Sequence, residues 1–125
     1  MRINIKATGI ELTPAIGRYA EKKISSIEKY FQESPDAVIQ VEVGKINQHH
    51  KSGNIFRAEA HVIGAGLDLY AVSEQADLYA AIDLVKDELA RKILHEKGKR
   101  WARAKRGARA VKDMLKGLNF FKKRS

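Results

Sequence analysis

Residues 2–6 alternate polar and apolar side chains, with Ile3 and Ile5 on one face, as a half-buried strand does. Thr13-Pro14 marks a helix start. A Thr hydroxyl accepts from a free backbone N–H there, and Pro at the first helical position gives up no hydrogen bond. The run to Phe31 then sets Ile16, Ala20, Ile24, Ile27 and Phe31 on one stripe. Arg18, Lys22, Lys23 and Lys29 occupy its other faces, and Ser34-Pro35-Asp36 ends it. Alternation returns over residues 38–46, with Ile39, Val41 and Val43 together, and over 55–63, with Phe56, Ala58, Ala60 and Val62 together. The polar residues 47–54 between these strands read as a hairpin loop. Gly64-Ala65-Gly66 reads as a tight turn into a further strand over 67–72.

A second helix is predicted to start between Ser73 and Asp77, either of which can cap it. Its buried stripe is Leu78, Ile82, Val85, Leu89 and Ile93. The order β-α-β-β-β-α predicts an α+β fold: an antiparallel four-stranded sheet with two helices packed on one face. Gly98 is a point where the second helix breaks or loosens. Beyond it, Trp101, Ala104, Ala108, Val111, Leu115 and Leu118 recur at spacings of three and four. That is the thin apolar seam of a basic amphipathic helix, marginal in isolation. The seam position of Trp101 favours packing over base stacking. The expected division is a folded domain over 1–98 and a basic helical or disordered tail over 99–125. Phe120 and Phe121 in the tail suit docking, wedging or packing equally.

Charge changes this picture more than composition does. Residues 91–125 hold 14 Lys/Arg against two acids, Glu96 and Asp113, a net of +12. The first 90 residues carry a net of −3. A one-sided positive field of this kind suits a polyanion, with nucleic acid the first candidate and an anionic membrane the second. The chain has no Cys, which excludes thiol catalysis, disulfides and Cys-based zinc sites. No secretory signal or membrane span stands out, so the expected location is cytoplasmic.

Catalytic and metal chemistry find little support. His49 and His50 are adjacent in the predicted loop, where neighbouring side chains point apart, and they read as solvated. Asp77 reads as a cap, while Asp83, Asp87 and Glu88 read as solvated or paired with Lys86 and Arg91. No enzyme activity, cofactor or metal is expected. The candidate RNA-binding residues are Lys22, Lys23 and Lys29 of the first helix, then Lys86, Arg91, Lys92, Lys97, Lys99 and Arg100, then Arg103, Arg106 and Arg109.

Two segments carry a family resemblance. One is Glu11-Leu-Thr-Pro-Ala-Ile16 with Lys22-Lys23 and Glu28-Lys29-Tyr30-Phe31. The other is Glu74, then Asp77-Leu-Tyr-Ala-Ala-Ile-Asp83, then Asp87, Leu89 and Arg91. On these the chain resembles the family of ribosome hibernation-promoting factors and ribosome-associated translation inhibitors, over roughly residues 1–99. The resemblance implies a non-enzymatic binder of the small ribosomal subunit. It would lie in the channel of messenger and transfer RNA, compete with both, inhibit translation and protect idle ribosomes under stress. Lys23 and Arg91 then match usual basic positions, and Lys22, Lys29, Lys92 and Lys97 fit the same pattern. Ser26 and Glu88 depart from it, standing where many relatives have Lys. The chain resembles a short form, expected to be monomeric off the ribosome. Two alternatives remain open: a general double-stranded RNA binder, and a protein or membrane interaction module acting through residues 101–118.

Overall fold

The structure, a computed structural model, describes residues 1–46 and 53–124, with side chains through residue 116. The elements run β1 (Arg2–Thr8), α1 (Pro14–Ser25), a 3-10 turn (Ser26–Tyr30), β2 (Val38–Ile46), β3 (Ile55–Gly64), β4 (Leu67–Gln75) and α2 (Leu78–Arg124). The strands form one sheet in the order β1-β2-β3-β4. The chain separates into two compact units, Met1–Ile93 and Leu94–Ser125.

The α+β class and the four strands agree with the sequence pattern, but the sheet is mixed rather than antiparallel. β1 runs parallel to β2, with Ile3 beside Ile39 and Ile5 beside Val41. The reason is the connection: α1 packs on the sheet face between two neighbouring strands, so the chain re-enters the sheet at the same end. Only β2–β3 and β3–β4 are antiparallel. β4 also continues three residues past the expected Val72, and Ser73 pairs with Ala58 in the ladder.

Register puts one apolar set on one face. Ile39 opposes Val62, Val41 opposes Ala60, Val43 opposes Ala58, and Ala60 opposes Ala71. These side chains are buried together with Ala20 and Ile24 of α1, Ile27 of the 3-10 turn and Leu78, Ala81, Ile82, Val85, Leu89 and Ile93 of α2. Both helical stripes named in the sequence therefore reach the same core. The small sheet residues Ala58, Ala60 and Ala71, with Ala81 opposite in sequence pattern, leave room for the helices to approach closely.

α1 stops at Ser25 instead of running to Phe31. The Ser25 hydroxyl donates to the Lys22 carbonyl at 2.9 Å and the Ser26 hydroxyl to the Lys23 carbonyl at 2.7 Å. Such local bonds compete with the helical ladder, and the chain tightens into the 3-10 turn. Ile27 and Phe31 stay buried all the same. The turn between β3 and β4 is as tight as expected. Ala65 and Gly66 have φ of 51° and 73°, between the paired Gly64 and Leu67, which is the form of a two-residue hairpin turn. The loop carrying His49, His50 and Lys51 lies outside the described residues.

α2 passes through Gly98 and Gly107 without ending. Among the described residues, no helix is long and apolar enough to cross a membrane.

Candidate nucleic-acid interface

Each helix start is fixed by its sequence. The Ile16 N–H donates to Thr13 Oγ1 at 3.2 Å, and Pro14 follows the cap. The Ala80 N–H donates to Asp77 Oδ2 at 3.2 Å, so Asp77 caps α2. Lys22 and Lys23 fall in the last turn of α1, where the helix dipole favours cations.

Asp83 joins the two helices. The Tyr19 hydroxyl donates to Asp83 Oδ1 at 2.7 Å, and Lys23 Nζ lies 3.5 Å from the same oxygen. The Tyr19 ring meets Tyr79 edge-on, with centroids 4.7 Å apart and planes at 89°. Lys23 Nζ also stands 5.5 Å from the Tyr19 ring centre. The bond to Asp83 raises the Tyr19 pKa to about 12, with burial adding to it. Tyr19 is thus a protonated donor at neutral pH. Sequence reasoning took Asp83 as solvated or paired within its own helix and missed Tyr19 and Lys23 as its partners. Nothing in the local spacing pointed to Tyr19, since Lys86 stands three residues after Asp83 as a nearer cation.

The remaining candidates of the first unit divide by partner. Lys22 is exposed and makes no ion pair among the described residues, and Lys29 lies 5.3 Å from the Tyr30 ring centre. Lys86 pairs with Asp87 at 2.8 Å. Arg91 gives two bonds to Glu88, at 2.6 and 3.2 Å. That pairing holds the Glu88 carboxyl below its ordinary range. Lys92 donates to the Tyr70 carbonyl at 2.6 Å and so ties α2 to β4. Exposed pairs of this kind contribute about 0–1 kcal/mol, so a phosphate can displace the carboxylates.

In the second unit the helix carries Lys97, Lys99, Arg100, Arg103, Arg106 and Arg109. Lys99, Arg103 and Arg106 follow at spacings of four and three and share a stripe. Lys99 pairs with Glu96 at 3.5 Å. Trp101 departs from the packed position expected of it: it is 67% exposed, and Val111, Met114 and Leu115 are exposed too. Among the described residues of this unit, nothing supplies a second layer for the seam to bury against.

The sheet face away from the helices differs in character. A depression of about 410 Å³ is lined there by Asn4, Lys6, Gln40, Glu42, Glu59, His61 and Tyr70, among others. Its charges are mixed and paired: Lys6 with Glu42, Arg57 with Glu59, and His61 with Asp68. The Thr8 hydroxyl donates to Glu42 at 2.7 Å and, with Lys6, lowers that carboxyl's pKa. No single-sign field forms on this face, so a polyanion is better served by the helices.

Matches to known proteins cover the first unit and the start of the second. Ribosome hibernation promoting factor of Azotobacter vinelandii is 34% identical over 99 residues, which cover 79% of this chain and 85% of that protein. Ribosome hibernation promotion factor of Bacillus subtilis is 33% identical over 99 residues, but the chain spans only 50% of its length. The N-terminal domain of Thermus thermophilus Protein Y superposes with a TM-score of 0.60 at 29% identity, covering 74% of this chain and 91% of that domain. A ribosomal subunit interface protein of Coxiella burnetii shares the fold, with a TM-score of 0.65 at 24% identity over 78% of this chain and 99% of that one. The family model described as sigma 54 modulation protein / S30EA ribosomal protein matches residues 3–101. With its signature helix, its two-helix layer and relatives that are ribosome hibernation promoting factors, the chain belongs to the sigma 54 modulation protein / S30EA ribosomal protein family.

Proposed function

We propose that this protein is a ribosome hibernation factor that binds the small subunit in the channel of messenger and transfer RNA, near the decoding centre. It acts there by competition and needs no chemical step. The observation that carries the reading is the family match over residues 3–101, whose curated relatives are hibernation promoting factors. The geometry supports it. Lys22, Lys23, Lys29, Lys86 and Arg91 belong to the helical layer, while the opposite sheet face is mixed in sign. Cations on a preformed surface neutralise phosphates and release counterions, which makes binding strong at low salt and weak at high salt. The second unit, with 12 Lys/Arg against two acids over residues 94–125, adds to that grip. A ribosome partner places the site of action in the cytoplasm.

The test is co-sedimentation with purified small subunits across a salt series, with and without messenger RNA. The protein should pellet at low salt and be released by salt and by messenger RNA. Charge reversal at Lys23 and Arg91 should lower the pelleted fraction. Failure to pellet at low salt removes the reading. Equal competition by naked duplex RNA replaces it with a general double-stranded RNA binder.

A further inference from the structure

We propose that the helix of the second unit is a site for single-stranded RNA in which Trp101 stacks on an unpaired base. This rests on the RNA-binding reading of the basic charge but requires no ribosome. Trp101 is the only Trp in the chain, and it is 67% exposed. An indole this exposed leaves most of a large apolar surface in water. One turn away on either side stand Gly98 and Ala104, both too small to cover its ring. The next neighbours in the same row are Lys97 and Lys105, followed by Arg109. Lys105 Nζ lies 5.0 Å from the indole centre.

This is the chemistry of a stacking platform beside a cationic track. A base stacks on an aromatic face with about 1–3 kcal/mol, measured as the loss on substitution by Ala. Lys105 and Arg109 then meet the flanking phosphates. A base inside a duplex already has neighbours on both faces, so the indole reaches unpaired bases only. A second copy of the chain is a poor occupant, because 12 Lys/Arg against two acids over residues 94–125 repel their own kind. A membrane fits less well. Val111, Met114 and Leu115 are exposed further along the helix, but beside Trp101, between residues 97 and 105, the small and apolar residues are Gly98, Ala102 and Ala104 among five Lys/Arg side chains. The charge of this segment therefore selects a polyanion, and the bare indole selects one with exposed bases.

The experiment uses the full chain and the intrinsic fluorescence of Trp101. It is titrated with a single-stranded oligoribonucleotide, with the duplex of the same sequence, and with phosphatidylglycerol vesicles. The single strand should quench the emission, and the duplex should bind with little quenching. Trp101→Ala should weaken single-strand binding, read by anisotropy of a labelled oligonucleotide, by roughly 5- to 150-fold, the equivalent of that stacking energy. Duplex binding should hardly change, and Trp101→Phe should retain most of the affinity. Circular dichroism checks that each variant keeps its helix. Equal quenching by duplex overturns the proposal, as does a Trp101→Ala variant with unchanged single-strand affinity. A blue shift with vesicles and no response to RNA would assign the helix to lipid instead. These outcomes are separable from failure of the ribosome reading: loss of small-subunit pelleting leaves the oligonucleotide titration untouched.

Discussion

Asp83 takes its hydrogen bond from Tyr19, 64 residues earlier in the chain, and this pair explains why an acid persists in a basic layer. It holds Tyr19 and Lys23 of α1 against α2. Tyr19→Phe should therefore lower the unfolding midpoint, and a spectroscopic pH titration should lose its latest tyrosine component. The sign follows from the raised pKa. Tyr19 ionises near 10 when unfolded and near 12 when folded, so its contribution is complete below pH 10 and disappears as pH rises through 12. Glu88 acts in the opposite sense to Asp83. It occupies the Arg91 guanidinium with two bonds and cancels its charge at the candidate interface. Glu88→Gln should raise affinity for RNA and steepen the salt dependence by about one phosphate contact, measured by binding across a salt series. An unchanged slope would show that Arg91 takes no part.

At the scale of elements, two glycines make opposite predictions. A Cβ on Gly64, the last residue of β3, would collide with Ala37 Cβ and stand 2.8 Å from its Cα, a backbone atom. Gly64→Ala should destabilise the domain by about 1–3 kcal/mol in chemical denaturation, as overpacking does. A Cβ on Gly98 meets nothing within 4 Å. Gly98→Ala should stabilise the helix by about 0.5–1 kcal/mol and raise its helicity by circular dichroism. The helix stripes were legible from spacing because burial follows the 3.6-residue period. The early end of α1 was not, although Ser25 and Ser26 are visible in the sequence. Their hydroxyls bond carbonyls three residues back, which Ser also does within a continuing helix, so the sequence alone does not place the stop. The parallel setting of β1 escaped for a related reason: alternation gives a strand its face but not its direction.

Across the whole molecule, the specific family signature and the heaviest charge lie in different units. Residues 1–93 supply the core and the signature, while residues 94–125 supply 12 of the 24 Lys/Arg. Truncation after Gly98 should leave the first unit folded by circular dichroism, weaken RNA binding and flatten its salt dependence. Full retention of the salt slope would place the phosphate contacts in the first unit alone.

The sequence by itself determined the element order, the residues of both helical stripes, the caps at Thr13 and Asp77, the tight turn at Ala65-Gly66 and the basic bias of residues 91–125. Each is a local or periodic property, written in neighbours a few positions apart. Only the tertiary structure decided the direction of β1, the bond of Tyr19 to Asp83 and the exposure of Trp101. The direction of β1 and the Tyr19 bond depend on which segments meet across long stretches of chain. The exposure of Trp101 depends on whether any layer covers its helix. Spacing along the chain specifies none of these.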